Sequence, residues 1–290
     1  PWLKAQRHLL EMCLEGLPDV IRDRKPGMSI LFPNGDAQWV EVAYQGNPIS
    51  DRANRLLAAA LVEEVSARAL AHPHPIRILE VGAGTGGSTL PLLAALQPFK
   101  DRITYWATDL SPLLTTRLAE RCLQADWTIE TRVLDIAQPM SDLAEGSFDL
   151  IVAANVVHAT ADVHATLSHL HRLIAPSGRV LLNELTAATD IGTLIFGLTP
   201  QWWGASDPAR RLPGTPALSP EGWMAVLGDA GWRDVGCLGV ESNALDSPQS
   251  LITATRSPDD RVQWQPAKTA TPRPSRPALA AAASVPPTRT

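Results

Sequence analysis

The order of apolar and helical segments predicts an α/β fold, a mostly parallel sheet with helices on both faces, joined to a helical N-terminal region. From Pro75 onward, short apolar runs alternate with helical stretches. Parallel strands require such covering crossovers, so the alternation itself predicts the sheet. The first run passes through a glycine turn directly into a helix start, and three successive runs close on an acid. In an open sheet those strand ends share one edge, which is where ligands bind.

Residues 1–70 read helical at both ends. Leu3, Leu9, Leu10, Met12, Cys13 and Leu17 recur at helical spacing, and Ala53 to Leu70 form a second periodic stretch. Lys25-Pro26-Gly27, Phe32-Pro33-Asn34-Gly35 and Gly46-Asn47-Pro48 are turn signals between them. Asp51 is placed to cap the second helix. Strands are expected at Ile76–Val81, Ile103–Thr108, Thr131–Leu134, Phe148–Ala153 and Arg179–Asn183, with helices at Thr89–Leu96, Leu113–Gln124, Ala137–Leu143 and Val163–Ile174. A helix at Pro220–Ala230 and strands at Val235–Glu241 and Ser250–Thr255 follow. Pro266 to Thr290 is rich in Pro and Ala, carries Lys268, Arg273, Arg276 and Arg289 without an acid, and cannot bury enough apolar surface to fold. The expected organisation is a helical cap over residues 1–70, a core over 71–257 with an insertion near 190–220, and a disordered linker over 258–290 within a longer polypeptide.

Composition narrows the function. With 25 Lys+Arg against 30 Asp+Glu, the 290-residue chain has no excess of basic charge to neutralise a phosphate backbone, so nucleic acid is not an expected partner. Cys13, Cys122 and Cys237 are odd in number and widely spaced, which argues against a disulfide framework or a structural metal site and suits a reducing cytoplasm. No apolar run approaches the roughly 18 to 20 residues that cross a bilayer, so no membrane partner is expected.

The most informative segment is Ile76-Arg-Ile-Leu-Glu-Val-Gly-Ala-Gly-Thr-Gly-Gly. Gly82, Gly84 and Gly87 satisfy G-x-G-x-x-G, with Gly86 inside the same loop, so a dinucleotide Rossmann site has to be weighed. The acids shift the balance toward S-adenosylmethionine. Glu80 precedes the first glycine by two residues, where a carboxylate would crowd a pyrophosphate but suits an ammonium and a sulfonium. Asp109, followed by Leu110, ends the second strand and can accept from both ribose hydroxyls. Asp135 closes the third, placed to accept from an adenine amino group with Ile136 beside the ring.

Glu80-Val-Gly-Ala-Gly-Thr-Gly-Gly, Ala153-Ala-Asn-Val-Val-His-Ala-Thr, Leu181-Leu-Asn-Glu-Leu-Thr and Phe196-Gly-Leu-Thr-Pro-Gln-Trp-Trp together resemble the methyltransferase domains of modular polyketide synthases, most closely the C-methyltransferases. The resemblance runs from about Leu31 to Arg256, and Leu31-Phe-Pro-Asn-Gly and Tyr44-Gln-Gly-Asn-Pro look like that family's lid. It implies a Rossmann-like class I methyltransferase fold, with a seven-stranded sheet, an antiparallel last strand and a helical lid. It also implies an acyl substrate held by the phosphopantetheine of an acyl carrier protein, with other synthase domains as neighbours.

His158 follows the fourth strand and Glu184 the fifth, and adjacent strands bring both to the same edge. A base with an orienting acid is the expected result. His158 would remove the α-proton of a β-ketoacyl thioester, and Glu184 would fix the imidazole tautomer. Asn155 either holds the methionine portion of the cofactor or makes the turn. By resemblance, Trp202 and Trp203, with Phe196, line the substrate channel or pack the lid, and Tyr44 and Asn54 close over the site. Arg210 and Arg211 are candidates for meeting an acidic carrier protein, and His164, His169 and His171 are expected to face solvent. O-methylation of a β-hydroxyacyl chain is the alternative within the same chemistry. A nicotinamide oxidoreductase would explain the glycines but not Glu80 or Asp135, and a non-catalytic remnant would not explain the intact set.

Overall fold

The computed structural model describes residues 2–33, 38–239 and 248–260. Strands β1 (Ile76–Val81), β2 (Ile103–Asp109), β3 (Glu130–Val133), β4 (Phe148–Ala154), β5 (Ile174–Leu185), β6 (Arg233–Leu238) and β7 (Gln249–Thr255) form one sheet in the order β3-β2-β1-β4-β5-β7-β6. Neighbours from β3 through β5 pair in parallel, whereas β7 runs antiparallel to both β5 and β6. The order reverses between β1 and β4, so the crevice above their C-terminal ends is open to a ligand.

The period-two alternation of strands sorts side chains between two cores. Ile78, Leu150, Val152 and Leu181 pack against α4 (Pro48–Ala71), α5 (Thr89–Leu96) and α6 (Pro112–Gln124) through Leu57, Leu61, Leu92, Leu93 and Leu118. Their chain neighbours Leu79, Ile151, Val180 and Leu182 face α7 (Val163–Leu173) and α10 (Pro220–Asp229) on the other side. A third cluster joins α1 (Trp2–Ile21), α2 (Gly27–Leu31) and α3 (Gln38–Tyr44) to α8 (Asp190–Phe196) through Leu9, Cys13, Leu31, Val40 and Ile195. Helices α1–α3 and α8 therefore share a core, separate from the two that cover the sheet, whereas α4, which belongs to the expected cap, packs on the sheet itself. Among the described residues no helix is long and apolar enough to cross a membrane.

Three expectations are corrected. Ala137–Leu143 forms turns, not a helix, with Gln138 N donating to Asp135 O and Leu143 N to Met140 O. Pro139 explains this, since it removes a donor and disfavours the helical conformation of Gln138. The second helix begins at Pro48 and is capped by Asn47, whose Oδ1 accepts from Ile49 N and Ser50 N. Asp51 instead accepts from Gly46 N, bracing the preceding turn. The sixth strand starts two residues early, at Arg233. The last two residues of its expected span, and residues 261–290 of the expected linker, lie outside the described residues.

Candidate active site

A cavity of about 460 Å³ opens at the C-terminal edge of β1, β2 and β4. Its floor is the glycine loop. Gly82 has φ +65°, and a side chain there would collide with Val156, so glycine is required twice over. Gly84 and Gly86 also hold positive φ. Ala83 N donates to Thr108 O at 2.9 Å, and Gly84 N to Asp109 Oδ2 at 2.9 Å, which ties the loop to the end of β2. The other Asp109 oxygen accepts from Ser111 N, ahead of α6.

Glu80, Asp109 and Asp135 all line the cavity, and among the described residues no lysine, arginine or histidine does. Glu80 is buried, and Tyr105 Oη donates to its Oε2 at 2.9 Å. Burial pushes its carboxyl up to about 7, the hydroxyls of Thr89 and Tyr105 pull it back, and Asp109 adds to the rise. Asp135 is exposed, two residues beyond the end of β3 in the turn that replaces the expected helix, and accepts from Ala137 N. Leu110 and the buried Ile136 line the same end.

Asn155 makes the turn after β4 with φ +58°, its N–H donating to Asn183 O at 2.7 Å. It also lines the cavity, and its buried Oδ1 has no partner among the described residues. Beyond this turn, His158 sits on a short 3-10 turn, Val157–Ala159, with Nδ1 2.5 Å from Glu184 Oε2. Glu184 is fully buried on β5; Oε1 accepts from Val156 N at 3.0 Å and Val157 N at 2.8 Å, while Oε2 also meets His158 N at 3.4 Å. A carboxylate has no proton to give, so Nδ1 carries the hydrogen and Nε2 keeps its lone pair. His158 adjoins the cavity wall formed by Val156, Ala159 and Thr160 without being part of it.

Arg211 is not a surface residue. It is buried, and its guanidinium donates to Asp207 Oδ1, His158 O, Thr160 O and Pro216 O, so it fixes the histidine turn from behind. Arg210 pairs with Asp229 at 2.9 Å. His164, His169 and His171 are half-buried rather than solvent-facing: His169 Nδ1 lies 3.2 Å from Ile136 O, and His171 packs edge-on against Trp232.

Tyr44 lines the cavity and packs against Phe196 at 6.0 Å; Phe196 in turn stacks on Trp202 at 6.3 Å, on α9 (Pro200–Trp203). Burial pushes the Tyr44 phenol up to about 12, so it remains a donor. Trp202 is buried, whereas Trp203 is 58% exposed and holds Gly197 O through Nε1. Phe196, Trp202 and Trp203 lie outside the cavity wall, as does Asn54. Asn54 is a tie: Nδ2 donates to Tyr44 O and Gly87 O, and Oδ1 accepts from Ser88 Oγ. The sequence reading missed Phe32, Val40, Ser88, Leu114, Thr160 and Gln201 on the wall. Gln201 and Phe32 stand inside quoted motifs, Pro-Gln-Trp-Trp and Leu-Phe-Pro, which was the available signal.

Residues 79–180 match the family model described as a methyltransferase domain. The polyketide synthase ThaQ of Burkholderia thailandensis is 37% identical over 231 residues, 78% of this chain but 11% of that protein. The crystal structure of the DszA carbon methyltransferase superposes with a TM-score of 0.83 at 31% identity, covering 90% of this chain and 68% of that one. The chain belongs to the carbon methyltransferases of polyketide synthases. The trans-methyltransferase CalH in complex with SAH is also similar, with a TM-score of 0.69 and 25% identity over 88% of this chain and 73% of that one. This carbon methyltransferase therefore uses S-adenosylmethionine, and the nicotinamide alternative falls. The antiparallel seventh strand and the helical N-terminal region are those of the family. The carbon methyltransferase spans only about a tenth of ThaQ's length.

Proposed function

We propose that this carbon methyltransferase methylates the α-carbon of a β-ketoacyl chain held by an acyl carrier protein, in the cytoplasm, as one domain among others of a polyketide-assembling synthase. In this reading α1–α3 and the 190–220 insertion form a lid over the core of residues 71–257, which α4 completes, and 258–290 is a linker. The shared cluster of α1–α3 with α8 supports the lid.

The cavity suits S-adenosylmethionine. Among the described residues Glu80, Asp109 and Asp135 give it only negative convergent charge, and the unpartnered Asn155 Oδ1 is an acceptor awaiting a donor. Glu80 and Asn155 would hold the amino-acid end, Asp109 with Leu110 the ribose, Asp135 and Ile136 the adenine, against Gly82, Gly84 and Gly86. When bound, the cofactor supplies an electrophilic methyl group on a sulfonium. What the chain must supply is a carbon nucleophile in line with it.

The 2.5 Å contact between His158 and a Glu184 carboxylate held by backbone amides carries this reading. With Nδ1 donating to Glu184, Nε2 takes the α-proton; the C–H electron pair passes into the enolate, and the imidazolium formed sits beside a fixed negative charge. A hydroxyl acceptor needs no such carbanion, and no observation favours it. Tyr44, Phe196, Trp202 and Trp203 would bound the acyl chain and exclude water, with Asn54 securing the lid to the glycine loop. The test is intact mass spectrometry of carrier protein loaded with β-ketoacyl or β-hydroxyacyl groups. One methyl mass is expected on the keto substrate alone, and His158→Ala should slow its transfer by roughly 10²- to 10⁴-fold. Equal methylation of the hydroxy substrate, or undiminished transfer by His158→Ala, overturns the reading.

A further inference from the structure

The cavity's most deeply placed acid is held by a residue that does not itself reach the cavity. β1 and β2 run in parallel with Ile78 opposite Tyr105 and Glu80 opposite Ala107, so Glu80 and Tyr105 lie diagonally on one face of the sheet. Tyr105 is 2% exposed and its ring belongs to the core that contains Ile78, Leu92, Leu93, Leu118 and Cys122. Its hydroxyl donates to Glu80 Oε2 at 2.9 Å. Were packing its only duty, phenylalanine would serve without bringing a polar group into a dry core.

We propose that Tyr105 is a positioning residue for cofactor binding: its hydroxyl engages Oε2 from within the core, turns the remaining oxygen of Glu80 toward the cavity and keeps the carboxylate charged in its dry surroundings. The inference rests on the proposal that Glu80 receives the cationic amino-acid end of S-adenosylmethionine. Tyr105 and Asp109 on β2 and Thr89 on α5 are the polar and titratable groups that act on Glu80 among the described residues, and Glu80 in turn raises the Cys122 thiol on α6. Of these only the two hydroxyls favour its ionised form. Burial and the adjacent carboxylate push the Tyr105 phenol well above its ordinary range, so it stays protonated and able to donate. Losing the hydroxyl leaves Glu80 easier to protonate, and a protonated Glu80 offers a cation a dipole in place of a charge.

The experiment is calorimetric titration of S-adenosylmethionine into the wild type, Tyr105→Phe and Glu80→Gln, from about pH 5.5 to pH 9. Glu80→Gln supplies the baseline that contains the ligand's own titration. Wild-type affinity should rise above that baseline as pH climbs through about 7. Tyr105→Phe should make the same rise at a pH higher by roughly half to one unit, which at neutral pH is about 2- to 5-fold weaker binding. The two should converge near pH 9. A Tyr105→Phe profile that superposes on the wild type, or lies below it by one constant factor at every pH, overturns the positioning role. A wild-type profile that coincides with that of Glu80→Gln overturns the Glu80 assignment itself, and Tyr105's part with it.

Discussion

Glu184 and Glu80 are both buried glutamates on parallel strands of one sheet, yet their surroundings prepare them for opposite tasks. Glu184, on β5, is surrounded by donors: the amides of Val156, Val157 and His158 and the imidazole Nδ1. Every oxygen is spoken for, and the residue works as a fixed anchor for the turn that carries His158. Glu80, on β1, has Tyr105 on one oxygen and lines the cavity with the rest. Burial without enough donors pushes its carboxyl up to about 7. A saturated carboxylate holds protein in place; an unsaturated one waits for a ligand. The backbone of each turn decides which is which.

Disturbing the saturated acid should have the largest effect. In Glu184→Gln the amide oxygen can still accept from Val156 N and Val157 N, but the NH₂ then faces His158 Nδ1. Nδ1 must become the acceptor, the proton moves to Nε2, and the lone pair needed for the α-proton is lost. Transfer to the β-ketoacyl substrate should fall about 10³- to 10⁴-fold, with cofactor affinity within about twofold of the wild type. Single-turnover kinetics with calorimetry separates the two readouts. Unchanged turnover would mean that the pair is not the base.

The unsaturated acid should show the reverse trade. Above its usual value of 4.5 the unfolded Glu80 has lost its proton, while the folded one retains it up to about 7. Folding therefore takes up a proton in that window, and stability of the ligand-free protein falls as pH rises through it. Glu80→Gln removes this dependence. At pH 8 the variant should gain up to roughly 3 kcal/mol, and near pH 4.5 almost nothing, by urea unfolding without ligand. Cofactor binding should weaken about 30-fold at pH 8, for loss of one buried charge contact. Stabilisation and weakened binding in the same variant would mark Glu80 as a site built for its ligand at the expense of the fold; a loss of stability with cofactor affinity unchanged would put it with Glu184.

What could be read from the chain follows the reach of each interaction. The glycine loop and the acids at Glu80, Asp109 and Asp135 were legible because strand, turn and helix start lie within a few residues of one another. His158 and Glu184 were legible as neighbours because adjacent strand ends must converge, and they meet at 2.5 Å. The amide nest around Glu184 was not, since it depends on how the backbone turns after β4. Tyr105 beneath Glu80 depends on the β1–β2 register, and Arg211 reads as a surface arginine until the 190–220 insertion folds it against His158 O. The helix expected at Ala137–Leu143 failed on a local signal that was present, Pro139.

Asp135 sharpens the comparison by offering an acid that is neither saturated nor buried. It shares the cavity with Glu80 but is exposed, and its Oδ1 already accepts from Ala137 N. Water therefore competes for whatever its remaining lone pairs could bind, and its charge is screened. Asp135→Asn keeps its one amide oxygen for Ala137 N and puts an NH₂ in place of the second acceptor, at an exposed position where water can stand in for the lost contact. Affinity for S-adenosylmethionine should fall no more than about threefold, and stability should stay within roughly 0.5 kcal/mol of the wild type at every pH. Calorimetry and urea unfolding at pH 6 and pH 8 measure both. A loss as large as that of Glu80→Gln would show that exposure does not divide these acids, and that the negative charge of the whole rim, rather than the buried member of it, holds the cofactor.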